Sequence, residues 1–254
     1  MAEDKQGNAI AGLYPLTKLY MAIAGCVIVL LLPDMLSKAI WFLVICALAA
    51  ASGVVGTYAK RMVSSVGLLF IILLLIQMFF GVGDTVIFTL GFLTAKWEGV
   101  LFAVQLGLNL ACVAGSLIWL FTVTDERDLV LALEKKGLSP KGSYVVLSAF
   151  LMIPVLKKRS EVIMNAQRAR GVETEGNLMV RAKAFVPMLV PLVLGSIAGT
   201  EERSLTLEAR GFSVEGPRTH LHDISDRPID KTVTIVTIAA VVAVVVGRVV
   251  LWVI

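Results

Sequence analysis

The sequence predicts an all-α polytopic membrane protein, and three observations carry that prediction. Of 254 residues, 57% are apolar and only 17% charged, with a mean hydropathy of +0.86, far from the balance of soluble domains. The apolar residues fall in long uninterrupted runs, whereas a soluble chain of this composition spreads them as amphipathic stripes. Most of the charge, of both signs, gathers between about residues 122 and 231, as expected of a segment that leaves the bilayer.

A helix needs roughly 20 apolar residues to cross the hydrocarbon core, and five runs of that order emerge. They cover Thr17 to Leu32, Leu36 to Val55, Ser64 to Gly81, Gly99 to Phe121, and Thr232 to Ile254. Between them lie polar or helix-breaking stretches: Pro33-Asp34, then Gly56 to Arg61, then a connection from Gly81 to Glu98. The predicted organisation is a four-helix transmembrane domain over residues 1–121, a cytoplasmic domain over 122–231, and a last transmembrane helix over 232–254. Lys5 and Lys18 flank the first run and Lys60-Arg61 separate the second from the third, so the positive-inside rule places both regions in the cytoplasm of a multi-pass inner-membrane protein. Arg248 then sits near the outer end of the last helix, where its long side chain can snorkel.

Two further apolar stretches, Ser143 to Leu156 and Ala184 to Ala198, leave a seven-span reading open. Each is short for a span, holds proline (Pro154; Pro187 and Pro191) and runs without a break into charged helix, which suits helices lying under the membrane.

Cys26, Cys46 and Cys112 lie far apart inside apolar runs, without the paired spacing of metal sites or disulfide frameworks. Asp4, Lys5 and Asn8 precede the first run and no small-residue cleavage site follows it, so the first helix is expected to be retained. The net charge of +4 contains no basic block interleaved with aromatics, which argues against nucleic acid as a partner. No Gly-x-x-x-x-Gly-Lys-Ser/Thr element is present, so nucleotide hydrolysis would have to come from another subunit. His220 and His222 flank Leu221 in a polar loop without further ligands at metal spacing. Neither a Ser-His-Asp set nor a carboxylate pair on a rigid scaffold points to an enzyme. An intramembrane Asp, Glu or His network of the kind a proton-coupled transporter carries is also missing.

The most informative feature is a self-match across 40 residues: Glu161-Val-Ile-Met-Asn-Ala-Gln-Arg-Ala-Arg-Gly171 aligns with Glu201-Glu-Arg-Ser-Leu-Thr-Leu-Glu-Ala-Arg-Gly211. Both copies end in Ala-Arg-Gly and both follow an apolar stretch, as in a duplicated long helix. Glycine is the usual residue that ends a helix, and arginine in the last turn complements the negative end of the helix dipole. Capping alone explains one copy. Two copies in equivalent positions also suit a two-fold partner, each guanidinium fork reaching a carboxylate.

At these residues the sequence resembles the transmembrane T component of energy-coupling factor (ECF) transporters. Tyr14-Pro-Leu-Thr-Lys-Leu19 is similar to that family's N-terminal Pro-x-Thr-Lys-Leu element. Phe121-Thr-Val-Thr124, followed by Leu129 to Leu138, is similar to its first short coupling helix, with Thr-Val-Thr where the family usually shows paired threonines. Ala166-Gln-Arg-Ala-Arg-Gly171 and Leu207-Glu-Ala-Arg-Gly-Phe212 match its two arginine motifs. The resemblance implies two long coupling helices crossed in an X, whose arginine-bearing ends insert into two ABC-type ATPase subunits. It makes Arg170 and Arg210 the gripping side chains, with Ala169, Gly171, Ala209 and Gly211 as their close-packed neighbours. It further implies that the chain itself holds no cofactor, that the ATPase partners bind ATP and Mg, and that a membrane-embedded S subunit captures the vitamin or transition metal ion. Two other classes compete: a polytopic membrane enzyme with a cytoplasmic active-site loop, and the membrane subunit of a conventional ATP-driven transporter with short coupling segments.

Gly107, Ala111 and Gly115 form a small-residue stripe in the fourth run, open either to internal packing or to the S subunit. Gln77, Gln105 and Asn109 are uncharged polar groups inside spans, suited to interhelical hydrogen bonds or a substrate path.

Overall fold

The computed structural model describes residues 10, 12–81, 83, 85–90, 93–174, 176–214, 216, 224 and 227–253. Every long apolar run is helical, as it must be where no water is present to satisfy backbone groups. In chain order the helices are α1 (Pro15–Leu31), α2 (Met35–Ala51), α3 (Val55–Phe80), α4 (Trp97–Val123), α5 (Glu126–Lys135), α6 (Pro140–Ala169), α7 (Leu178–Ala209) and α8 (Pro228–Val253). A two-stranded antiparallel hairpin, β1 (Val86–Leu90) and β2 (Leu93–Lys96), precedes α4. Contacts divide the chain into two units, residues 1–137 with 224–254, and residues 138–223.

In the first unit α4 is the central helix, packed against α1, α2 and α3. Its inner face supplies Cys112, Trp119, Leu120 and Val123 to a core completed by Ala22 and Val29 of α1, Ile45 and Ala49 of α2 and Tyr58 of α3. Trp119 is 2% exposed, and its indole N–H donates to Ser52 Oγ at 3.0 Å, the partner a buried indole needs. Lipid has no hydrophobic force to offer between helices, so close approach at small residues holds the bundle. A β-carbon at Gly107 would lie 2.2 Å from the Phe70 ring, one at Gly115 2.6 Å from the Tyr58 hydroxyl, and one at Gly25 2.7 Å from Ser116 Oγ. Within this unit, then, Gly107 and Gly115 seat neighbouring helices of the same chain, and Ala111 between them is half-buried. Gln105 Nε2 donates to the Pro33 carbonyl at 3.5 Å, while Asn109 Oδ1 is buried without a partner among the described residues.

Two boundaries differ from the sequence reading. The break expected over Gly56 to Arg61 is helical: the reversal comes earlier, at Ser52 to Val54, where Gly53 takes φ +71°. Thr57, Lys60 and Arg61 lie exposed on the first turns of α3, and a polar, exposed helix start has the same composition as a loop. The connection from Gly81 to Glu98 was expected as turn and loop but contains the hairpin. Its β-branched residues fit a pleated strand, and the Glu98 carboxylate in the first turn of α4 anchors it by accepting from the N–H of Thr85 at 3.2 Å and from its hydroxyl.

The entry of α8 is fixed by a buried carboxylate. Asp230, 3% exposed, accepts from the N–H of Arg227 at 2.8 Å and from the N–H of Tyr14 at 2.7 Å. One side chain thus satisfies the N-terminal ends of both α8 and α1, where helix dipoles favour negative charge. Asp230→Ala is expected to cost about 2–3 kcal/mol, the loss of two charge-assisted hydrogen bonds, read as a lower melting temperature of the detergent-solubilised protein.

Among the described residues four helices are long and apolar enough to cross a membrane: α3, α4, α7 and α8 up to Val250. The apolar helices α1 and α2 are shorter, at 17 residues each. α7 meets that length and composition although its prolines led the sequence reading to keep it beneath the bilayer.

The second unit is a pair of long helices, α6 of 30 residues and α7 of 32. Ser139 caps α6 by accepting from the N–H of Gly142, and Asn177 caps α7 by accepting from the N–H of Val180. They run antiparallel and meet at four levels. Tyr144 packs against Phe212 with ring centroids 5.1 Å apart and the rings tilted by 57°. Arg203 Nη1 lies 3.3 Å from Met152 Sδ, Arg159 Nη1 donates to the Gly195 carbonyl at 3.0 Å, and Gln167 Nε2 donates to the Pro187 carbonyl at 3.4 Å.

Candidate functional site

The two Ala-Arg-Gly ends have the same local geometry. Arg170 is the C-cap of α6, with φ −88° and ψ 5°, and Arg210 is the C-cap of α7, with φ −86° and ψ 3°. Gly171 and Gly211 follow in the left-handed region, φ +85° and +76°. The N–H of Gly171 donates to the Arg168 carbonyl at 2.9 Å and that of Val172 to the Gln167 carbonyl at 3.0 Å. At the second end Gly211 donates to Glu208 at 2.9 Å and Phe212 to Leu207 at 3.0 Å. This is the Schellman arrangement in both cases, and glycine is required because a β-carbon disfavours the left-handed backbone.

All six residues, Ala169, Arg170, Gly171, Ala209, Arg210 and Gly211, are exposed. Neither the Arg170 nor the Arg210 guanidinium forms a hydrogen bond or ion pair with another described residue. Arg168 behaves differently, since its Nε donates to Thr174 Oγ1 at 2.6 Å. Each end therefore offers one free guanidinium, whose planar fork is matched to a carboxylate or phosphate. Because α6 and α7 are antiparallel, the two forks lie at opposite ends of the pair, about 40 Å apart by helical rise.

Two supports of these ends escaped the sequence reading. Pro191 has no N–H, so the Pro187 carbonyl lacks its donor one turn later; Gln167, three residues before Arg170, supplies the missing hydrogen bond. The signal was the proline spacing, but nothing in the sequence said which residue would answer it. At the second end, Phe212 packs on Tyr144 and so ties the end of α7 to the start of α6.

The N-terminal element Tyr14 to Leu19 has a structural setting. Besides the Asp230 bond, Tyr14 Oη donates to the Ala132 carbonyl of α5 at 3.4 Å, and Thr17 and Lys18 are buried, at 3% and 4% exposure. Among the described residues no group of three His, Cys, Asp or Glu could hold a metal ion. His220 and His222 lie outside the described residues.

Fold and site together define a class: a polytopic helical membrane protein with a paired-helix unit that presents two matched cationic ends. Comparison with known proteins adds a family. The family model described as CbiQ, cobalt transport protein, matches residues 6–221. The energy-coupling factor transporter transmembrane protein EcfT of Lactococcus lactis subsp. cremoris is 31% identical over 215 residues, 81% of this chain and 80% of that protein. The protein of the same name from Brevibacillus brevis is 29% identical over 198 residues, 74% of each chain. That from Heliobacterium modesticaldum is 27% identical over 237 residues, 87% of this chain and 86% of its own. The chain belongs to the CbiQ family, with the EcfT transmembrane proteins of energy-coupling factor transporters.

Proposed function

We propose that this chain is the coupling subunit of an ECF-type importer for vitamins or transition metal ions, a non-catalytic component that carries ATPase motion to a membrane-embedded S subunit. The reading is carried by one observation: two identically built, unpartnered arginine ends at opposite tips of an antiparallel helix pair. A symmetric pair of ABC-type ATPase subunits offers two equivalent docking grooves, and a pair of tips about 40 Å apart suits one groove each. Arg170 and Arg210 grip, Ala169 and Ala209 permit close approach, and Gly171 and Gly211 hold the turn. ATP and Mg belong to the ATPase partners. Orientation follows from Lys60 and Arg61, which place the N-terminus and the paired-helix unit in the cytoplasm; on this reading α7 stays outside the bilayer despite its apolar half. Closing of the ATPase pair moves the tips, and rigid helices pass that movement to the bundle.

Co-purification tests it. A transporter assembled with Arg170→Ala and Arg210→Ala combined should lose its ATPase subunits while the chain remains folded in the membrane. Full retention of both ATPase subunits by that variant overturns the reading.

A further inference from the structure

The start of α3 carries a second cationic site that the coupling function does not use. Thr57, Lys60, Arg61, Ser64 and Ser65, with Gly56, line a cavity of about 560 Å³. We propose that it binds the phosphate of an anionic phospholipid headgroup, with the acyl chains running along α3.

Position comes first. From Val63 to Phe80 the helix has no charged residue, about 27 Å of apolar rise, close to the thickness of the hydrocarbon core. Lys60 and Arg61 therefore stand at the level of the headgroups on one side of the membrane, with Ser64 and Ser65 in the turn just inside them. The site rests on that depth and not on the coupling function.

Chemistry comes second. Hydroxyls on these helices usually donate to the carbonyl one turn back, as Ser52, Ser116, Ser196, Thr200 and Thr206 do. The hydroxyls of Thr57, Ser64 and Ser65 make no such bond, nor does the Lys60 ammonium, with any described residue. Arg61 is held at the rim by its Nη1 bond to Thr122 Oγ1 at 2.8 Å, which leaves most of its five donors unused. A π turn over Val63–Gly67 holds both serines, the kind of local widening often found where helices bind something. Donors without acceptors, two of them cationic, define a receptor for phosphate oxygens.

What lies beneath selects a lipid over a free anion. The same face of α3 continues as Leu68, Leu69 and Ile72, exposed by 67%, 48% and 44%, an apolar track leading from the cavity into the hydrocarbon. A juxtamembrane lysine and arginine beside such a track suit phosphatidylglycerol.

Native mass spectrometry of the purified full-length chain, offered phosphatidylglycerol and phosphatidylcholine of equal chain length, provides the test. The wild-type chain should retain phosphatidylglycerol in preference, and Lys60→Gln with Arg61→Gln should lower its occupancy about tenfold or more. Ser64→Ala with Ser65→Ala, which leaves every charge in place, should lower it by about threefold, and this variant decides the matter if the charge variant does not fold. Lys157→Gln with Lys158→Gln, the same charge loss on α6, should leave retention unchanged. Equal retention of the two lipids, an equal loss from the α6 variant, or displacement of the lipid by millimolar inorganic phosphate would each overturn the proposal.

Discussion

Uptake falls to background, and the ATPase subunits are lost from the purified complex, when Arg170→Glu and Arg210→Glu are combined. Each reversal replaces a fork that pairs with an acceptor by a carboxylate facing it. Breaking one desolvated charge pair at an interface costs about 2–5 kcal/mol, which is roughly 30-fold to several thousand-fold in affinity. The two ends reinforce each other through effective concentration, because one engaged tip holds the other near its groove. Single reversals should accordingly weaken retention in part and the double reversal abolish it. Arg170→Lys and Arg210→Lys keep the charge but lose the bidentate geometry, so they should fall between wild type and alanine. Arg168→Ala, next to the site but already bonded to Thr174, should have the smallest effect. The readouts are ATPase stoichiometry after affinity purification and initial uptake rate.

The largest effect on stability is expected from Gly99→Val. A β-carbon at Gly99 would lie 2.1 Å from the Gln77 carbonyl oxygen and 3.0 Å from its carbon, both backbone atoms that no side-chain rotation can move aside. The neighbouring Gly81 is equally closed, at 2.3 Å from the same oxygen. Here the end of α3 and the start of α4 cross in backbone contact, and a branched side chain must force them apart. Overpacking of this kind costs about 3 kcal/mol or more, an apparent melting temperature about 6–12 °C lower in detergent for a chain of this size. Gly247→Ala in α8, with no described atom within 4 Å of its β-carbon, should instead raise it by about 2–4 °C, the gain in helix propensity.

Those contrasts show where the sequence was legible. Helices appear wherever an apolar run was long enough, because lipid leaves the backbone no alternative, and the two helix ends were readable because Ala-Arg-Gly carries its own capping chemistry. What stayed hidden depends on partners distant in the chain. Asp230 looks like an ordinary first-turn acid until Tyr14, 216 residues away, donates to it. Gln167 looks like surface until Pro191 leaves the Pro187 carbonyl without a donor. Gly107 and Gly115 offered a close-packing face without saying to whom, and within the chain Phe70 and Tyr58 take it. Residues 56–61 are opaque for a different reason, since the largely exposed, polar start of α3 has the composition of a loop.

Docking of the two tips can be measured by cysteine crosslinking. The native thiols, Cys26, Cys46 and Cys112, are all free and can be replaced by alanine as a background. In the assembled transporter, Arg170→Cys and Arg210→Cys should each crosslink to an ATPase subunit, and the two together should join one chain to two ATPase copies. Labelling of either cysteine from outside intact cells by an impermeant maleimide, with no crosslink to the ATPase, would contradict it.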